Sequence, residues 1–150
     1  MDHDGLPTVE AMAFANLYRK DWEAALARDL LSFAPATPRG VTRQFSTDHL
    51  IAARVYGSLR LREVMPKYAS QIATEVYRLV SADHGIQHLA AWKLLLRHGE
   101  DPEIVVAENP PSPTAIELFR FEIASIRIEA MDAVRAALAA RQAARRGSPP

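Results

Sequence analysis

Residues 39–62 read RGVTRQFSTDHLIAARVYGSLRLR, and this stretch determines how the rest of the chain is interpreted. Its first part is a short basic segment around Gly40 that carries Arg39 and Arg43. The same segment contains residues that favour β structure, namely Val41, Thr42 and Phe45. This composition predicts a small hairpin, or wing, at the start of the stretch.

A helix is predicted directly after the wing. Ser46 or Thr47 suits the N-cap position, and Asp48 places a carboxylate beside the free N–H groups and the positive end of the helix dipole. The side of this helix that should be buried is marked by apolar residues at helical spacing, which are Leu50, Ile51, Val55 and Leu59.

Two shorter helices are predicted before the wing. The apolar spacing from Thr8 onward indicates a helix that ends near residues 18–20, and Asp21 is suited to cap a second helix over 22–31. Two short helices joined by a tight turn form a helix-turn-helix unit, in which the second helix is the one that enters the major groove of DNA.

The order of residue types in this region resembles the winged helix-turn-helix of the MerR family, at the point where the wing leads into the third helix. The matching residues are Gly40, Arg43, Phe45, Ser46, Asp48, Leu50, Val55, Leu59 and Arg60. Phe45 stands where the family usually has tyrosine, and the glycine usual in the turn before the fourth helix is absent between Leu61 and Lys67. The resemblance implies a fold that binds double-stranded DNA. Classical members sense metals through cysteines, and this chain has none.

We expect DNA contacts from three parts of the chain. The second helix offers Lys20, Trp22 and Arg28, the wing offers Arg39, Arg43 and Gln44, and the third helix offers Arg54. The arginines of the wing and Arg54 would neutralise phosphates, which positions a protein on DNA without specifying bases. The alternative for Trp22 is a packing role in a small helical core.

Residues 83–113 differ in character from the segments on either side. Two apolar runs, 91–97 and 104–108, are separated by residues typical of a turn, which favours a hairpin, although the first run is compatible with either a strand or a helix. Residues 109–113 contain three prolines and are predicted to form a stiff linker. Before this hairpin, Pro66 suits the first turn of a fourth helix that extends to about Ala82.

The longest predicted helix runs from Thr114 to about Arg146. Thr114 and Glu117 have the spacing of a capping box. Apolar residues recur at alternating intervals of three and four, which is typical of a dimerisation seam, and its larger members are Ile116, Phe119, Ile123 and Ile126. We therefore expect a homodimer held by this helix, with the alanine-rich second half projecting from the body.

Composition excludes several classes of protein. The 150 residues carry 18 Lys or Arg and 18 Asp or Glu, and residues 39–67 hold six of these cations and two of these acids, a local excess of four positive charges. The absence of cysteine excludes disulfides and fits a reducing cytoplasm. No transmembrane segment, secretory signal, phosphate loop or nucleophile elbow is recognisable. His84 and His88 are four residues apart, but no Glu stands in the register of a zincin and Gly85 weakens a helix there. We expect neither an enzyme nor a bound cofactor or metal.

Taken together, the sequence predicts a mostly α protein with a small β component. Residues 1–82 would form a winged helix-turn-helix region, 83–113 a hairpin and linker, and 114–150 a dimerisation helix with a frayed tail. The expected function is that of a cytoplasmic, sequence-specific transcriptional regulator of bacterial or phage type. The alternatives are an excisionase-like architectural DNA binder and an adaptor that binds a protein partner through its C-terminal helix.

Overall fold

A computed structural model of the chain describes residues 5–36, 43–95 and 103–147. Within these ranges the chain is mostly helical, with a small antiparallel sheet and a long C-terminal helix. The helices are α1 (Thr8–Ala15), α2 (Arg19–Ala27), α3 (Thr47–Leu61), α4 (Pro66–Ala82) and α5 (Ile123–Gly147). The strands are β1 (Leu6–Pro7), β2 (Gln44–Phe45), β3 (Leu89–Leu94), β4 (Glu103–Ala107) and β5 (Ile116–Phe121).

The turn between α1 and α2 lies earlier in the chain than the sequence predicts. Asn16 adopts a left-handed conformation with φ of 59°, and its N–H donates to the carbonyl of Ala13, which ends α1 at Ala15. The N–H of Trp22 then donates to the carbonyl of Tyr18, so α2 begins at Arg19 and Tyr18, rather than Asp21, is its N-cap. The predicted bounds of 22–31 for this helix were therefore wrong at both ends.

The strand β2 pairs with the start of the described chain. Leu6 lies opposite Phe45 and Pro7 lies opposite Gln44 in an antiparallel register. The turn of the wing predicted for this region lies outside the described residues. The described part is a pair of short strands, β1 and β2, which holds the N-terminal end of α1 against the N-terminal end of α3.

Helix α3 is the centre of the core, and it starts where the sequence predicts. Ser46 is its N-cap in a capping box. Its buried residues occupy almost its whole circumference: Leu50, Ile51, Ala52, Ala53, Val55, Tyr56, Gly57 and Leu59. Pro66 begins α4 as expected, and Tyr77 near the end of α4 stacks on His49 near the start of α3, so the two helices run antiparallel.

The predicted hairpin is confirmed, and a third strand joins it. β3 pairs with β4 in a continuous antiparallel register from Leu94 opposite Glu103 to Ala90 opposite Ala107. On its other side β3 pairs with β5, which gives the strand order β4-β3-β5. Residues 91–94 of the first apolar run thus belong to a strand and not to a helix.

The helix predicted from Thr114 was wrong over its first turns, because residues 116–121 form β5. The intervals of the apolar residues fit a helix locally, but pairing with β3 overrides that preference and buries Phe121. Helix α5 begins at Ile123, and its N-terminal amides include that of Ala124, which donates to the carbonyl of Gln87.

Helix α5 lies against the body of the protein. Ile123 and Ala130 are buried, and Ala133, Val134 and Ala137 pack against the core. Arg141 donates to the carbonyl of Gly5 at 2.7 Å, so the alanine-rich half does not project freely up to this residue, contrary to expectation. The hydrophobic core draws residues from all three predicted segments, 1–82, 83–113 and 114–150.

Replacing Gly57 by alanine should destabilise the protein. A Cβ atom at this position would lie 1.8 Å from the carbonyl oxygen of Ala15, so α1 and α3 would have to separate. We expect a loss of about 1–3 kcal/mol or more, as for other overpacked cores, although alanine is the better helix former. Urea denaturation of G57A measures this loss. The matched control is G147A, where a Cβ atom meets nothing within 4 Å, and equal stability of the two variants would contradict the close contact.

Candidate nucleic-acid interface

Helix α2 has one buried face and one free face. Trp22 and Ala25 are buried, and Trp22 packs edge-on against Phe45 with ring centroids 5.4 Å apart. The opposite face is exposed, and at its centre are the small residues Ala24 and Ala27. The buried face anchors the helix in the core, and the small residues on its exposed face permit close approach by a partner.

Lys20 and Arg28 flank these alanines. Lys20, Ala24 and Arg28 follow each other at intervals of four, which places them along one side of a helix. Lys20 and Arg28 are both exposed. Arg19 is different, because its Nε lies 3.8 Å from Glu23 in an exposed ion pair.

Trp22 is not available for contact with DNA. Its side chain is 1% exposed and belongs to the core, which is the packing role that the sequence left open. The prediction that it contacts DNA was wrong because helical spacing alone does not tell which face of a short helix is buried. Among the described residues its indole Nε1 has no hydrogen-bond partner.

The wing residues are described only in part. Arg39 lies outside the described residues. Arg43 is partly exposed just before β2, and Gln44 is partly buried within it, with Oε1 buried and without a hydrogen-bond partner in the described chain. Of these three, Arg43 is the one whose described position is compatible with a phosphate contact.

Arg54 is occupied inside the protein. Its Nε donates to the carbonyl of Phe14 at 2.6 Å, and its Nη1 donates to Glu129 at 2.7 Å. The guanidinium also lies 4.1 Å from the centroid of the Phe14 ring. These contacts tie α1, α3 and α5 together, so Arg54 has a structural role that the sequence did not predict, and a phosphate would have to compete with Phe14 and Glu129 for its guanidinium. No local pattern around Arg54 indicates that Phe14 and Glu129 converge on it.

The predicted dimerisation seam is divided between two elements. Ile116 and Phe119 belong to β5, whereas Ile123 and Ile126 belong to α5. Ile123 is fully buried in the core of its own chain, and Phe119 lies beneath the guanidinium of Arg62, whose Cζ is 5.7 Å from the ring centroid. A continuous helical seam through these four residues does not exist.

A polar cluster that the sequence did not predict lies at the start of α3. The N–H of Ser46 donates to Nδ1 of His49 at 3.1 Å, and Oγ of Ser46 is 2.7 Å from the same atom. The imidazole stacks on the ring of Tyr77, with centroids 5.1 Å apart. Burial lowers the pKa of His49, and the nearby carboxylate of Asp48 opposes that effect. The interval from Ser46 to His49 is that of a capping box, with histidine in place of the usual Glu or Gln.

His84 and His88 do not form a pair. His84 Nε2 lies 3.1 Å from a carboxylate oxygen of Asp48, whereas His88 Nε2 lies 3.2 Å from the carbonyl of Glu108. No group of three or more potential metal ligands occurs in residues 5–36, 43–95 and 103–147. None of the helices in those ranges is long and apolar enough to cross a membrane.

Comparisons of the chain with protein-family models, with curated proteins and with solved structures find no match.

Acid should destabilise the protein partly through His49. The folded state holds the proton on this imidazole more weakly than the unfolded chain does, where histidine titrates near pH 6.5. His49 therefore costs no stability at neutral pH, and it costs stability increasingly as the pH falls below about 6.5.

The variant H49Q tests this expectation, since glutamine at the third helical position preserves the capping interaction without titrating. Urea denaturation between pH 7 and pH 5 should show a smaller loss of stability in H49Q than in the parent chain. The control Q87A changes an exposed residue that does not titrate and should retain the parent slope. An unchanged slope in H49Q would refute the assignment.

Proposed function

We propose that the protein is a sequence-specific DNA-binding transcriptional regulator that places α2 in the major groove of double-stranded DNA. The observation that carries the proposal is the free face of α2, with Ala24 and Ala27 at its centre and Lys20 and Arg28 beside them. Small residues allow the helix to approach base edges closely, and the two cations supply charge for the phosphates on either side.

The connection between α1 and α2 supports this proposal. Three residues, 16–18, separate the helices, and the left-handed Asn16 turns the chain sharply. A turn of three or four residues between two short helices is typical of DNA-binding helix-turn-helix units. The pairing of β1 with β2 is also compatible with a wing beside this unit, from which Arg39 and Arg43 would contact phosphate.

The charges of α2 favour phosphate contacts, which position the protein on DNA, rather than contacts that distinguish many bases. In the described chain, neither Lys20 nor Arg28 has an acidic partner within 4.0 Å. Acidic residues on the same helix, Asp21 and Glu23, limit its net charge. A monomer with so few contacts would bind weakly, and a homodimer that occupies two half-sites would supply the remaining affinity.

Removing the positive charges of Lys20 and Arg28 should weaken the electrostatic, salt-dependent part of DNA binding. In fluorescence anisotropy titrations with a duplex from the region upstream of its own coding sequence, we expect K20A/R28A to bind more weakly than the parent chain. The slope of log affinity against log salt should fall by about 1.8, since each phosphate contact contributes about 0.9.

The control for this experiment is K67A/R135A, which removes the same charge from exposed positions on α4 and α5. It should retain the parent affinity and salt slope. A scrambled duplex as competitor separates specific from non-specific binding. Equal losses in the two variants, or no binding by the parent chain at low salt, would contradict the proposal.

The homodimer requires a surface other than the divided seam. Ile128 is 61% exposed and Met131 is 39% exposed, and an interval of three places them side by side on α5. We expect sedimentation equilibrium to give the mass of a dimer, and I128D to give the mass of a folded monomer. The matched control S125D adds the same charge at an exposed polar position of α5 and should remain dimeric. A monomeric parent chain would contradict this part of the proposal.

A further inference from the structure

A groove of about 770 Å³ separates α4 from β4, on elements that the DNA-binding proposal does not use. Its apolar lining includes Ile72, Ile104 and Val106, and its polar lining includes Gln71, Glu75 and Glu103. Sites for small ligands and peptides usually combine apolar side chains with a few polar groups, and the lining of this groove has that mixed character.

The groove runs along the outer edge of β4, with which no other strand of the described chain pairs. β4 is the outer strand in the order β4-β3-β5, and four consecutive residues of this strand, 103–106, line the groove. Its register with β3 is regular over all five pairs, and its sequence, EIVVA, is mostly β-branched. A straight apolar edge of this kind is a template for pairing with another strand.

The opposite edge of the sheet is interrupted by a bulge, which β4 does not have. Phe119 pairs with Ala91 and Glu117 pairs with Trp92, so Leu118 is an extra residue in β5 and forms a bulge. Glu117 and Arg120 on the same strand form an ion pair at 3.2 Å, whereas the one charge on β4 is Glu103 at its first residue. Bulges and charges are means by which proteins prevent pairing at an edge, so the regular edge of β4 is the better suited of the two to pair with another strand.

The negative charge of the groove indicates what kind of segment it binds. Glu75 and Glu103 line it, whereas no Lys or Arg is among the lining residues that belong to the described chain. Arg78 donates to Oε1 of Glu75, and no described residue makes a hydrogen bond with Oε2. A second copy of the chain would bring a second set of these acids to the same seam, so like charges would oppose the pairing.

We propose that the groove binds an extended peptide segment of a partner protein, in which apolar residues alternate with Lys or Arg. The segment adds to β4 as a fourth strand through backbone hydrogen bonds. Its apolar side chains contact the lining of the groove, and its cations face Glu75 and Glu103. Five residues of β4 span about 17 Å, so a segment of five or six residues fills the edge.

The test uses the full chain and a fluorescein-labelled peptide of three Lys-Val repeats. Anisotropy titrations should show saturable binding, and amide NMR spectra should show shifts concentrated in Glu103–Ala107. E75Q/E103Q should bind the peptide about threefold to tenfold more weakly, as expected for two partly exposed charge pairs. The control E10Q/E122Q removes two exposed acids that do not line the groove and should bind as the parent chain does.

Two further peptides separate the possible outcomes. A Glu-Val peptide should not bind, and a Lys-Val peptide with N-methyl groups at alternate residues should lose binding, because methylation removes backbone donors. The inference is overturned by absence of saturable binding, by equal binding of the Glu-Val peptide, or by full binding to E75Q/E103Q. It is also overturned if the chain sediments as a dimer that V105K converts to monomer, since the edge would then be occupied by a second copy. All of these outcomes are independent of DNA binding.

Discussion

The close contact between α1 and α3 at Gly57 determines where the proposed DNA-binding helix lies. No side chain fits between Gly57 and the carbonyl of Ala15, so the backbones of the two helices meet directly. One turn earlier on α3, Arg54 holds the carbonyl of Phe14 and reaches Glu129 of α5. Helix α2 begins at Arg19, only four residues after Ala15. The position of its free face is therefore fixed by a contact that involves none of its own exposed residues, and α3 acts as the common support for the helices around it.

Local signals predicted the parts of the fold that depend on local chemistry. Ser46 begins α3 because its side chain and backbone satisfy the exposed groups of the first turn, and Pro66 begins α4 because it has no N–H to leave unpaired. The hairpin of β3 and β4 follows from two apolar runs with turn residues between them. In each of these cases the residues that specify the element are also the residues that form it.

The predictions that failed depended on contacts between distant parts of the chain. Residues 116–121 have intervals that suit a helix, but they complete a sheet with β3, and the sequence offers no local sign of that partner. The sequence predicts a phosphate contact for Arg54, but in the fold its guanidinium donates to Phe14 and Glu129. Trp22 lies on the helix that was expected to read DNA, yet it points inward to Phe45. The DNA contacts expected of Lys20 and Arg28 stay predictions, because both side chains are exposed and no acidic residue of the described fold pairs with them.

Amide NMR spectra recorded during a titration with duplex DNA at low salt would show whether the free face of α2 contacts DNA. The largest shifts should occur at Lys20, Ala24, Ala27 and Arg28, with smaller shifts beside Arg43. Residues of the groove along β4 should not shift. Shifts that leave α2 unaffected, or a spectrum that does not change at low salt, would refute the contact between α2 and DNA.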